Sequence, residues 1–271
     1  MTGCNPFDMS RYRRSRAYTS CTLRSRINTG APSGVSPIHR AVPSTTWGKS
    51  LRFRTGSTTR STILTRSSFA LLPLGTFPTG VFPWGIAFDG SSVWVGNILD
   101  NTVSKIRASD GTTLGVFPAG TNPIALAFDG SSIWATNQGG ANTVTKVRAR
   151  DGAMLGTFTV GANPVGVTFD GFSVWVANSG DGTVSRLRAT DGIPLGTFPV
   201  GSEPQFIVFD GASMWVTNLG SNNVTKLRNC DGAPLGTFAV GSQPIGIAFD
   251  GANVWVNNHP ASNTNGSVAK L

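Results

Sequence analysis

A forty-residue period governs this chain. Phe-Asp-Gly recurs from Phe88, Phe128, Phe169, Phe209 and Phe249, in steps of 40, 41, 40 and 40 residues, and Trp94, Trp134, Trp175, Trp215 and Trp255 keep the same beat. A fixed period of this length marks a repeat architecture, and it overrides any local reading. Each copy holds four strand-length segments: Leu195–Gly201, Pro244–Phe249, Val174–Asn178 and Thr183–Arg188 exemplify them in order. All four are rich in β-branched and aromatic residues, and Gly, Pro, Asn or Asp bounds each. None has the 3.6-residue period or the length of a helix.

Asp-Gly joins the second segment to the third in every copy, at Asp89, Asp129, Asp170, Asp210 and Asp250. Both residues tolerate positive φ, which suits a tight hairpin. A second Asp-Gly follows the fourth segment at Asp110, Asp151, Asp191 and Asp231. Four antiparallel strands every forty residues describe one blade of a β-propeller. The expected fold is therefore all-β: five four-stranded blades over residues 74–271, behind a tail at 1–73. The Pro-Ile-Gly-Ile-Ala-Phe strand is expected innermost and the Leu-Gly-Thr-Phe strand outermost. One outer strand, Leu74 to Gly80, precedes the first inner strand, and the fifth copy has none. Pairing of Leu74–Gly80 with Ser267–Leu271 is the expected closure of the ring, which would remove its edges.

Charge separates the two parts. The formal +9 suggests a nucleic-acid binder, yet residues 1–73 hold 12 of the 22 Lys and Arg with one acid, Asp8, so the repeats carry a slight excess of acids. Any nucleic-acid contact is expected to be non-specific and through the tail. Those 73 residues include 23 Ser or Thr and no sustained period, so they are read as disordered. Their composition suits a transit peptide, an anion-binding arm, or upstream sequence translated from a start placed too early. The apolar stretch Phe69 to Leu74 is too short and too distant from residue 1 for a secretory signal. No run approaches the roughly 20 apolar residues of a membrane helix. Three cysteines exclude a disulfide framework and a four-thiolate zinc site.

Trp215-Val216-Thr217-Asn218 resembles the Tyr-Val-Thr-Asn tetrapeptide of the YVTN propeller repeats, with Trp for Tyr, and Trp134–Asn137 and Trp175–Asn178 are close variants. The flanking Asp-Gly and Thr-Val-Ser/Thr match as well, and the resemblance covers residues 74–271. The repeats are also similar to virginiamycin B lyase (streptogramin lyase), a propeller that opens a cyclic depsipeptide with a His, Glu residues and Mg²⁺. Both groups are commonly seven-bladed, whereas five copies stand here. The resemblance implies a bacterial, extracytoplasmic protein, although no export signal is visible.

One rim of such a propeller carries the near-uniform Asp-Gly turns. The other carries loops that vary between copies, beginning at Val81, Thr121, Ala162, Ser202 and Ser242, and a binding site is expected there. Asn97, Asn137, Asn178, Asn218 and Asn258 form a ring on that rim. Their amides suit a sugar or peptide ligand, and Asn equally suits a strand end that needs a left-handed residue. The five Trp are expected to pack blade on blade. Basic pairs such as Lys105/Arg107 and Lys146/Arg148 are expected at solvated strand edges. The fifth copy has a longer loop holding His259, and Glu203, the sole Glu of the chain, lies on the same rim. The favoured reading is a non-catalytic binding or scaffold propeller that needs no cofactor or metal and takes a glycan, peptide or protein on its variable rim. The alternative is a Mg²⁺-dependent lyase of the streptogramin type, with His259 as base and Glu203 as its carboxylate partner or a Mg²⁺ ligand.

Overall fold

A computed structural model describes residues 75–260 and 265–271. The tail expected at 1–73, and Leu74 with it, lies outside these residues. Blade one is β1 (Pro83–Phe88), β2 (Ser92–Asn97), β3 (Thr102–Arg107) and β4 (Thr113–Pro118). Blade two is β5 (Pro123–Phe128), β6 (Ser132–Asn137), β7 (Thr143–Arg148) and β8 (Met154–Thr159). Blade three is β9 (Pro164–Phe169), β10 (Ser173–Asn178), β11 (Thr183–Arg188) and β12 (Pro194–Pro199). Blade four is β13 (Pro204–Phe209), β14 (Ser213–Asn218), β15 (Asn223–Arg228) and β16 (Pro234–Ala239). Blade five has three strands, β17 (Pro244–Phe249), β18 (Val254–Asn258) and β19 (Ser267–Lys270). Each sheet is an antiparallel meander in chain order. The first strands of successive blades pack side by side, β1 on β5, β5 on β9, β9 on β13 and β13 on β17. The expected inner and outer strands are thus in place.

Local chemistry explains why each copy folds alike. In the first hairpin of blade one, the Asp89 carboxylate accepts the backbone N–H groups of Ser91 and Ser92 at 2.8 and 2.6 Å and the Trp94 indole N–H at 2.8 Å. Gly90 takes φ 95°, and neither Asp89 nor Ser91 has positive φ. Positive φ at the first central residue alone is the type II′ pattern. Left-handed tolerance is therefore needed at Gly alone, and Asp is there as an acceptor, a correction to the sequence reading. The same carboxylate-to-indole bond recurs at 2.7, 2.7, 2.6 and 2.6 Å in the other four blades.

The core lies between blades. Trp94 and Val103 of blade one pack with Leu126, Ile133 and Val147 of blade two. Trp134 with Val174 and Val176, Trp175 with Ile207 and Met214, and Trp215 with Val254 and Val256 repeat the arrangement. Within a blade, each of these Trp rings tilts against the Phe of the outer strand at 5.3–5.7 Å. In blades one to three that Phe also lies on the next blade's second Asp-Gly turn. A Cβ on Gly152, already at φ +75°, would fall 2.0 Å from the Phe117 ring, so only glycine fits.

The expected closure is not found. Residues 75–79 form no strand, and the fifth sheet ends at β19. Instead Gly75–Gly80 is held against blade one: Gly80 N–H donates to Asn97 Oδ1 at 3.0 Å, and Phe77 lies over Gly111. Among the described residues, no packing like that of neighbouring inner strands joins β1 to β17. One interface repeated four times fixes one blade-to-blade angle, and four such steps leave the end blades apart. Trp84, Ile86 and Phe88 of β1 are consequently 59, 68 and 57% exposed, and Trp255 is 38% exposed where Trp94, Trp134 and Trp175 are fully buried.

Candidate functional site

The loop before each inner strand and the loop after each Trp strand zip together on one rim. In blade four, Leu219 N–H donates to the Glu203 carbonyl at 3.0 Å, and Gly220 N–H to that of Ser202 at 3.1 Å. In blade five, His259 N–H donates to the Gln243 carbonyl at 3.1 Å. Phe82, Asn122, Asn163, Glu203 and Gln243 occupy one equivalent loop position, all with φ between 47° and 57°. Asn suits this left-handed position; Phe, Glu and Gln do not. Three loops thus hold there a side chain that the backbone disfavours.

Glu203 and His259 are both exposed and stand in different blades. The His259 Nδ1 lies 3.1 Å from the carbonyl of its neighbour Pro260, and the rest of its loop, 261–264, is outside the described residues. The remaining acids of this rim are engaged: Asp100 accepts the Val81 N–H at 2.6 Å, and Asp181 accepts the Ala162 N–H at 2.8 Å and the Thr183 hydroxyl at 2.6 Å. Mg²⁺ needs several convergent oxygens. Among the described residues no three of His, Cys, Asp and Glu come together so as to hold a metal. These residues do not fit a Mg²⁺ site.

The asparagine ring is buried. Asn97, Asn137, Asn178 and Asn218 are fully enclosed and Asn258 nearly so. Each amide nitrogen donates within its own blade, as Asn137 Nδ2 does to the Thr143 and Thr145 hydroxyls, both at 2.9 Å. Behind each amide lies the glycine that follows the preceding outer segment: Gly80, Gly120, Gly161, Gly201 and Gly241. The Asn97 amide oxygen accepts the Gly80 N–H at 3.0 Å, whereas those of Asn137, Asn178, Asn218 and Asn258 are buried without a hydrogen-bond partner among the described residues.

The basic pairs split: the second members stand exposed beside the Asp turns as expected, but the first members do not. Lys105 and Lys146 are buried, each 5.2 Å above its Trp ring. Each also reaches a backbone carbonyl of the following blade, Ala149 or Ala189, at 2.6 Å. The second members pair with the turn aspartates, as Arg148 does with Asp151 at 2.9 Å. That guanidinium pulls the Asp151 carboxyl down to about 2. Burial pushes the Asp89 carboxyl up, but the Trp94 indole, two backbone N–H groups and the Ser91 hydroxyl outweigh it and hold that group below the usual range. The cations thus serve blade stacking and turn geometry.

Blade one is the exception on the variable rim. Val81, Phe82 and Leu99 are 55, 54 and 62% exposed, and their loops are zipped by the Ile98 N–H on the Phe82 carbonyl at 3.1 Å. The Phe82 ring stacks on Trp84 at 6.0 Å and 15°. The other blades place Thr121, Ala162, Ser202 and Ser242 where Val81 stands, and Gly139, Gly180, Gly220 and Pro260 where Leu99 stands. The variation at these positions is visible in the sequence. A contrast of apolar against polar residues at equivalent loop positions was the available signal.

No family model matches the sequence, and no curated protein does. Solved structures do match in fold. Kuenenia stuttgartiensis hydrazine synthase superposes with a TM-score of 0.62 at 18% identity, over 72% of this chain and 67% of that one. A streptogramin B lyase structure gives 0.58 at 20% identity, over 73% and 71%. A functionally unknown protein from Desulfotomaculum acetoxidans gives 0.58 at 17%, over 71% and 70%. The fold is a β-propeller. At these identities the propeller likeness extends to architecture alone, because chemistry resides in sites carried by a fold.

Proposed function

We propose that this propeller is a binding module whose variable rim takes an extended peptide segment of a protein partner, anchored on the apolar patch of blade one. The observation that carries this reading is the exposed group Val81, Phe82, Trp84 and Leu99. A contiguous apolar patch rimmed by polar loops is costly to leave in water and marks an interaction surface. Two aliphatic side chains beside a stacked aromatic pair suit apolar or proline-containing side chains. The polar loops on either side suit backbone amides. Glycan binding through the Asn ring is the weaker variant of this reading, since those amides are buried and their nitrogens are bonded within their blades. The lyase alternative rests on His259 and Glu203, and the engaged acids around them supply no oxygen cage for a metal.

Phage display of random peptides against the 271-residue protein tests the proposal. Selected peptides are expected to carry apolar or aromatic residues and to lose at least tenfold in affinity on Phe82→Ser and Leu99→Gly, measured by calorimetry. Enrichment that survives both substitutions would overturn the patch as the site. Binding confined to a glycan array would replace the peptide by a sugar. Opening of a cyclic depsipeptide that His259→Ala abolishes would replace the module by the lyase.

A further inference from the structure

The two end faces of the propeller are the two halves of one interface that the chain already builds four times. Between blades one and two, Trp94 and Val103 supply one half, and Leu126 with the partly buried Phe128 belongs to the other. At the end of blade five the first half stands open: Trp255 is 38% exposed and Val268, the counterpart of Val103, is 64% exposed. At blade one the second half stands open: Ile86, the counterpart of Leu126, and Phe88, the counterpart of Phe128, are 68 and 57% exposed. By contrast Val103, Val144, Val184 and Val224 are all fully buried.

The backbone is complementary in the same way. Among the described residues, blade five has no outer strand beside β19. Gly75–Gly80 repeats the outer-strand sequence and already sits on blade one where a preceding blade's outer strand belongs. Phe77 lies against Gly111 as Phe117 lies against Gly152, Phe158 against Gly192 and Phe198 against Gly232. In blade one, β3 pairs Val103 with Phe117 and Lys105 with Gly115. The same register would pair Val268 with Phe77 and Lys270 with Gly75. Lys270 stands 5.3 Å above the Trp255 ring, as Lys105 stands above Trp94. Lys105 donates to the Ala149 carbonyl of the next blade, and the counterpart of Ala149 in blade one is Ala108.

We propose that these faces bind a second copy of this chain, head to tail: blade five of one copy docks on blade one of the next, and the second copy's Gly75–Gly80 adds as the missing fourth strand beside β19. A second copy is the occupant because it carries both halves, with side-chain counterparts, strand register and cation already matched. Strand addition supplies backbone hydrogen bonds, and alternate side chains supply specificity. Such a contact is heterologous, so it either closes a small ring or runs on into longer assemblies. It uses Ile86 and Phe88 rather than the Val81, Phe82 and Leu99 loops, and Trp84, on the same strand β1, borders both surfaces.

Sedimentation of the full chain across a hundredfold concentration range is the test. The wild type is expected to exceed the mass of one chain, rising with concentration. Ile86→Glu spoils one half and Val268→Glu the other. Both side chains are mostly exposed, so circular dichroism is expected to stay that of the wild type. Each variant alone is expected to run as one chain. An equimolar mixture, in which one sound half meets the other, is expected to give a 1:1 pair and nothing larger. Three outcomes would overturn the proposal: a wild type that remains one chain throughout, single variants that still associate, or a mixture that fails to pair. The first would mean that the chain closes its own ring or leaves its ends open. The second would place association elsewhere, and Phe82→Ser would then report whether the rim patch is responsible.

Discussion

Blade two and blade five contain the same local device in different surroundings. In both, an aspartate holds the Trp indole, at 2.7 Å for Asp129–Trp134 and 2.6 Å for Asp250–Trp255, and a lysine covers the ring, at 5.2 and 5.3 Å. Trp134 is nevertheless fully buried, between Phe158 of its own outer strand and the Val174 and Val176 strand of blade three, while Trp255 has neither neighbour among the described residues and is 38% exposed. Forty residues therefore encode the hairpin, its acceptor and its cation. Burial comes only from the adjoining repeat, as expected where each unit contacts its neighbours alone.

The sharpest way to break this comparison is to remove the ring from each blade. Trp134→Ala is expected to cost about 3–5 kcal/mol, the usual range for deleting a large aromatic from a packed core. Trp255→Ala is expected to cost clearly less at low protein concentration, because the ring has shed fewer water contacts on folding. Urea denaturation of both variants checks it, and equal losses would mean that Trp255 is covered under those conditions. A smaller contrast separates two glycines. Gly152→Ala and Gly251→Ala both force alanine into positive φ, at +75° and +100°, a cost of about 1–2 kcal/mol. Only at Gly152 does the new methyl collide with an aromatic ring, that of Phe117, and nothing lies within 4 Å at Gly251. Overpacking is expected to add roughly 1–3 kcal/mol at Gly152.

The period, the strand set and the strand order were legible because a repeat reports its own boundaries five times. The role of the Asp in Asp-Gly was not. Turn propensity accounts for the dipeptide without any long-range partner, and the indole that it binds lies five residues away across the hairpin. The cations misled for the opposite reason. Spacing of two placed Lys105 and Arg107 on one strand face, but spacing carries no information about whether a neighbouring blade covers that face. Lys105 is in fact buried, with its tip on the Ala149 carbonyl, while Arg107 reaches Asp110 at 3.0 Å in the turn. Ring closure was misjudged because matching a spare strand to a gap counts strands, whereas closure depends on an angle that no residue pattern states. On the rim, the apolar loops at Val81, Phe82 and Leu99 were visible as variation, and only their shared exposure distinguishes them from core residues.

The smallest expected effect concerns the turns themselves, which behave alike in interior and end blades. Asp110, Asp151, Asp191, Asp231 and Asp250 all have carboxyl groups held below the ordinary value of 3.8. For Asp151 and Asp191 an arginine is the chief cause, for Asp110 and Asp231 a backbone N–H, and for Asp250 the Trp255 indole. A depressed folded value means that the unfolded chain binds protons first as the solution is acidified. Their contribution is therefore complete above about pH 4 and drains away as pH falls towards 2. Arg148→Ala isolates one member, because that guanidinium is the chief cause that brings Asp151 to about 2, ahead of the Ala153 backbone N–H and Arg150. Carboxyl NMR is expected to show Asp151 titrating nearer 3.8 in the variant, with the thermal midpoint at neutral pH almost unmoved, since both partners are well exposed and water screens the pair. An unchanged titration would mean that the Ala153 backbone N–H and Arg150, not Arg148, hold the charge.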